Sequence, residues 1–177
     1  IKGMRIAVPI DDWVWKDWLS EEEEVVVRRA IGVLEELGAS TVEVKLPLAG
    51  EARANLSAMA GGGQLFYLEH FTEEQMARWP GLREELKAGL QGAVGDYLKN
   101  QLMVILIRQE VEAVFKGGVD IIAMPTGSTY GDAWDAETAV IRGRTVPAGS
   151  RAVYRNGMAS RCGHPALSVP CGFGNND

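Results

Sequence analysis

The chain has 177 residues, 46% of them apolar and 24% charged, with a formal net charge of −6. At that length one domain can bury roughly 70% of its unfolded surface, so a single hydrophobic core is expected. The acidic balance excludes the basic face that nucleic-acid binding needs, and no apolar run is long enough to span a membrane.

Met4 to Pro9 is short, apolar and closed by proline, as a buried strand opening into a loop would be. The loop from Ile10 to Trp18 holds three of the five tryptophans beside three aspartates, and it reads as a hydrophobic lid or core patch. Ser20 followed by Glu23 is a capping-box signature, and the neighbouring glutamates suit the positive end of a helix dipole. A helix from about Glu21 to Leu37 follows, with Val27, Ile31, Leu34 and Leu37 as its buried stripe and Gly38 as its C-terminal stop. Thr41 to Pro47 alternates polar and apolar residues like a strand with one wetter face. Strand, helix and strand in this order predict a parallel βαβ unit with a right-handed crossover.

From Ala52 to about Gly117 the pattern is helical, with breaks expected at Gly61 to Gly63, at Trp79 to Gly81 and near Gly92 to Gly95. The triple glycine lacks both the Gly-Lys-Ser/Thr ending and the dinucleotide spacing of a phosphate loop, so it reads as a helix break or close packing. The last stretch, Tyr97 to Phe115, places Leu98, Leu102, Ile105, Val111 and Phe115 on apolar faces expected to pack on the sheet.

Val119 to Met124 is expected to be another buried strand, running into the polar turn Pro125 to Asp132. Loops at the C-terminal ends of parallel strands are where open α/β sheets bind ligands, so this turn is a candidate for substrate contact. Asp135 to Ala152 reads as a long irregular connection, and Tyr154 to Arg161 as a short helix or turn. Gly163 to Phe173 then holds a short apolar segment between prolines and glycines, which reads as a buried strand with fixed turns at both ends.

Catalytic constellations are sparse. Cys162 and His164 lie two residues apart, but no third group orients the imidazole, so a packed turn is the better reading. Two candidate ligands are too few for a structural zinc site, and no metal is expected. With only two cysteines and no stretch resembling a secretory leader, a reducing cytoplasmic setting is expected. The start at Ile1 and the turn-like end Gly174 to Asp177 read as those of a piece cut from a longer polypeptide.

Several segments, taken together, resemble a known family. Arg5-Ile6-Ala7-Val8-Pro9, Leu37-Gly38-Ala39 with Val42-Glu43-Val44 and Leu46-Pro47, Val119 to Thr126, and Gly163 to Phe173 resemble, in order, the C-terminal half of the amidase signature core. The resemblance implies an α/β fold with a mixed, largely parallel sheet flanked by helices, of which residues 1–177 are a single segment truncated at both ends. It also implies amide hydrolysis, or amide nitrogen transfer to a partner. The family uses a Ser–cis-Ser–Lys triad: a neutral lysine draws a proton through a bridging serine, the activated serine attacks the amide carbonyl, and backbone donors hold the oxyanion. Both triad-bearing segments lie N-terminal to the counterpart of Arg5 to Pro9, so no catalytic residue is expected here. No Gly-Ser-Ser-Gly-like run occurs, and the six lysines sit outside any such motif.

What the resemblance leaves to this chain is sheet core and pocket wall. Thr126, Gly127 and Ser128 are expected near the acyl or leaving group, with Tyr130 and Arg161 further out. Ser160 stands where the family often has asparagine. The implied partners are a small-molecule amide substrate and the remainder of the core, with no cofactor, nucleic acid or membrane; the resemblance also allows a homodimer. The other reading is a catalytically silent binding or subunit-contact domain, using the tryptophan loop or a bare sheet edge as its surface.

Overall fold

The computed structural model describes residues 1–16, 19–51, 61–78, 81, 84, 87, 94–127, 135–148 and 153–174. They fall into two compact units, Ile1–Gly50 with Ile107–Asp177, and Glu51–Leu106.

The first unit is built on β1 (Arg5–Pro9), whose residues from Ile6 onward are buried. It carries α1 (Asp12–Trp15), α2 (Glu21–Glu36), β2 (Ser40–Val44) and α3 (Pro47–Glu51). The expected parallel pairing forms, with Arg5 opposite Ser40 and Pro9 opposite Val44. Ser20 caps α2 by accepting from the Glu23 N–H, 3.1 Å away. At its other end Gly38 takes φ +95°. There the Gly38 N–H donates to Glu35 O and the Ala39 N–H to Leu34 O, the two bonds of a Schellman stop.

The tryptophan loop is core. Trp13, Val14 and Trp15 are all buried, so among the described residues the loop offers no exposed tryptophan for docking. Trp13 Nε1 donates to Leu46 O at 3.0 Å, and Asp11 accepts from the Leu46 N–H at 2.8 Å. Trp15 donates to Pro9 O, and the Arg28 guanidinium lies 4.0 Å over its ring. Trp18 lies outside the described residues.

The stripe expected on α2 is a correction. None of its residues is buried, and Leu37 just beyond it is exposed. Spacing says which side chains share a face; burial also requires something to cover that face, and the described residues only partly cover this one.

Asp135 to Ala152 is likewise corrected. In place of an irregular connection, β4 (Thr138–Ile141) and β5 (Arg144–Pro147) form an antiparallel hairpin. Arg142 and Gly143, at φ +49° and +74°, make the two-residue turn, whose left-handed conformation matches the natural twist of paired strands. Ala-Val-Ile and Thr-Val flanking an Arg-Gly pair were the available signal.

Arg142 then ties the hairpin to the first helices. Its guanidinium donates to Leu19 O at 2.8 Å, to Trp15 O at 3.1 Å and to the Glu24 carboxylate. Burial raises the Glu24 pKa, but hydrogen bonds and charge from Arg28 and Arg142 outweigh it, so the net shift is downward. A depressed folded-state pKa stabilises the fold above the unfolded value, and that contribution is lost as pH falls through the lowered one. Glu24→Gln should therefore cost roughly 1 kcal/mol at neutral pH. The gap from wild type should close as acid titrates the carboxylate. Urea unfolding across that range checks this, and a pH-independent gap would refute it.

In the second unit, α4 (Gly61–His70) begins at the triple glycine, and α5 (Glu73–Ala77) is opened by a Thr72–Gln75 capping box. The long helix α6 (Val94–Lys116) contains Gly95, so that part of the expected break is absent; residues 88–93 lie outside the description. Leu98, Leu102 and Ile105 are exposed, contrary to the packing expected of them. Only the part of α6 from Ile107 on belongs to the first unit, where Ile107 and Val111 are buried. There the Glu110 carboxylate accepts from the Leu48 and Ala49 N–H groups at 3.0 Å each, capping α3.

The chain returns to the sheet through β3 (Ile121–Ile122), parallel to β1 and giving the order β2-β1-β3. This strand is shorter and less buried than expected, with Ile121 exposed, and among the described residues only its β1 side is paired. Gly118 at φ +81° closes α6, and Arg5 Nη1 donates to the Gly117 and Gly118 carbonyls at 3.1 and 3.0 Å. Last comes α7 (Val153–Cys162), the helix expected there.

Candidate functional site

The candidate site is the loop leaving the C-terminal end of β3. The Ala123 N–H donates to Ala7 O, which carries the β1 pairing one residue past β3. Pro125 is fully buried and anchors the start of the loop, from which Thr126 and Gly127 follow. Ser128 and Tyr130 lie outside the described residues.

Thr126 meets a residue that sequence reasoning assigned to scaffold. Its Oγ1 lies 3.3 Å from Ser168 Oγ, and both hydroxyls are open to solvent. Ser168 belongs to the segment expected to be a buried strand, and that expectation fails. Residues 164–173 form no strand, and Leu167, Val169 and Phe173 are 87%, 67% and 85% exposed. Proline-bracketed apolar residues specify an extended backbone; burying it takes a neighbour on each side, and none of the described residues supplies them.

Local chemistry does explain how this segment starts. Gly163 at φ +70° ends α7. The Gly163 N–H donates to Ser160 O and the His164 N–H to Ala159 O, another Schellman stop. A Cβ on Gly163 would also collide with the Arg108 guanidinium, whose Nε donates to Cys162 O at 2.6 Å. The far end, at Phe173, borders a shallow cleft with Glu21, Glu22, Val25 and Val26 of α2.

Cys162 is buried and unbridged, and burial pushes its thiol pKa up against the pull of Arg108 and Arg161. A thiol held protonated is a poor nucleophile. The His164 ring lies 5.5 Å from Phe115. Arg161 sits half-buried on the last turn of α7, its pKa lowered by burial and its Nη2 without a hydrogen-bond partner among the described residues. Among the described residues no cluster of three or more metal-ligating side chains occurs, and no helix is long and apolar enough to cross a membrane.

A parallel sheet flanked by helices makes this an α/β protein, and Thr126 stands in the loop at the C-terminal end of β3, the place where open α/β sheets bind ligands. No protein-family model matches the chain. It is 32% identical over 200 residues to the A subunit of the glutamyl-tRNA(Gln) amidotransferase of Macrococcus caseolyticus, covering 99% of this chain and 40% of that protein. An amidase of Pseudomonas putida is 28% identical over 175 residues, covering 98% and 37%. The crystal structure of a bacterial aryl acylamidase of the amidase signature family shares the fold, with a TM-score of 0.71 at 20% identity over 99% of this chain and 38% of that one. Over the stretch it spans, the chain carries the amidase signature fold and is related to that family's amidases and amidotransferase A subunits. It spans about two fifths of the length of these relatives.

Proposed function

We propose that this chain is the part of an amide hydrolase that supplies sheet core and one wall of the substrate pocket. A nucleophile and base from elsewhere in the polypeptide cleave the C–N bond through an acyl-enzyme. The observation that carries this reading is the Thr126 hydroxyl at the C-terminal end of β3, in a chain whose relatives are amidases and amidotransferase subunits. On this reading Thr126 and Gly127 lie near the acyl or leaving group with Arg161 further out, the same part being expected of Ser128 and, further out, of Tyr130, which lie outside the described residues. The unbridged thiols of Cys162 and Cys171 fit a reducing cytosol.

In the full-length protein, Thr126→Ala should raise KM or lower kcat about 2- to 12-fold, the range one hydrogen bond supports. Unchanged kinetics would reject the placement. A second reading, a catalytically silent docking domain, is favoured by the exposed Leu167, Val169 and Phe173. Amide turnover by the full-length protein would decide against it.

A further inference from the structure

We propose that Arg142 is a positioning residue of the hydrolase: by latching the β4–β5 hairpin to the first helices, it fixes a wall of the substrate pocket at the end of the sheet where Thr126 stands. This rests on the hydrolase reading above and adds to it a residue that itself touches no substrate.

Arg142 holds a backbone conformation that its residue type disfavours. Among the described residues it is the only one other than glycine with a positive φ, at +49°. The first position of such a two-residue hairpin turn favours asparagine, aspartate or glycine, because a larger side chain crowds the backbone there. The turn gives no local reason for an arginine, whereas its side chain has a long-range one. That side chain is 24% exposed and donates to Leu19 O, Trp15 O and the Glu24 carboxylate, with a Glu21 carboxylate oxygen 3.7 Å away.

The same bonds say where the hairpin sits. Trp15 donates to the carbonyl of Pro9, the last residue of β1, and the Trp15 carbonyl accepts from Arg142. The hairpin tip is therefore held at the C-terminal end of β1. Because β3 runs parallel to β1, Thr126 leaves the sheet at that same end, where open α/β sheets bind ligands. Ile141, next to Arg142, is 2% exposed, so the tip is packed as well as bonded. A two-stranded hairpin is marginal by itself, and its position is set by what it is tied to. Charge-assisted bonds to several partners leave it one position. A wall fixed in advance spares the substrate the cost of ordering it, so loosening the wall weakens binding.

The test uses the full-length protein with acetamide, benzamide and glutamine. Arg142→Gln should raise KM about 5- to 50-fold while kcat stays within about 2-fold, because the groups that break the bond lie elsewhere in the polypeptide. Arg142→Gly removes the latch yet suits the turn, so the hairpin still forms, and KM should rise as much. Arg142→Lys keeps the charge without the planar fork and should fall between wild type and Arg142→Gln. Adding Glu24→Gln to Arg142→Gln should move KM by less than about 2-fold further, because the two residues act through one latch. A purely structural role gives another pattern, in which a smaller folded fraction lowers the apparent kcat and leaves KM where it was. That pattern, or an unchanged KM in Arg142→Gly, would overturn the proposal. A wild-type protein that turns over none of the three amides would overturn the hydrolase reading itself, so the two failures are separable.

Discussion

The 177-residue chain on its own should hydrolyse no amide above the uncatalysed background, a deficit of at least about 10⁶-fold against a working enzyme. A serine attacks an amide only when a base takes its proton, and a lysine serves as that base where burial strips its charge. All six lysines of this chain are exposed. Ser20 is committed to capping α2, and among the described residues the Ser168 hydroxyl has only the Thr126 hydroxyl as a hydrogen-bond partner. Burial keeps the thiol of Cys162 from ionising readily. An amide and ester panel with the isolated chain is the check. Robust turnover abolished by a single serine or cysteine substitution within these residues would sink the expectation.

Ile6→Ala should be the most destabilising single change among those considered, at about 2–5 kcal/mol. Ile6 is fully buried in β1, the central strand, opposite Thr41 on one side and Ile121 on the other. With both flanks held by ladders the backbone cannot close over the lost volume, so a cavity penalty adds to the lost burial. Leu167→Ala is the contrast: at 87% exposure it should move stability by no more than about 0.5 kcal/mol. Urea unfolding of both variants decides; equal effects would mean that Ile6 is not where the sheet is held.

That contrast also shows how much of the fold was legible. Ile6 and Leu167 are both apolar residues in short, proline-closed, extended segments, and both segments read as buried strands. One is the core of the sheet and the other stands in water. Nothing within a few residues of either separates them, because the difference lies in what pairs alongside. The candidate site divides the same way. Thr126 was legible from its place just after an apolar run, whereas Ser168, 42 residues later, was not. Its only distinguishing feature is proximity to Thr126, and proximity is not written in spacing.

Sequence by itself determined the local features: the Ser20 cap, the stops at Gly38, Gly118 and Gly163, the parallel βαβ start and the family to which the motif order points. Each depends on backbone preference, a hydrogen bond within one turn or the order of elements, all carried by neighbouring residues. Tertiary structure alone decided which apolar faces are covered, which drew Trp13 and Trp15 inward and left α2 and Leu167 exposed. It also decided that Arg142 would join a hairpin to Glu24, and that the hydroxyls of Thr126 and Ser168 would meet. Burial and long-range contact are properties of pairs of segments, and the free energy that selects them exists only once both are in place.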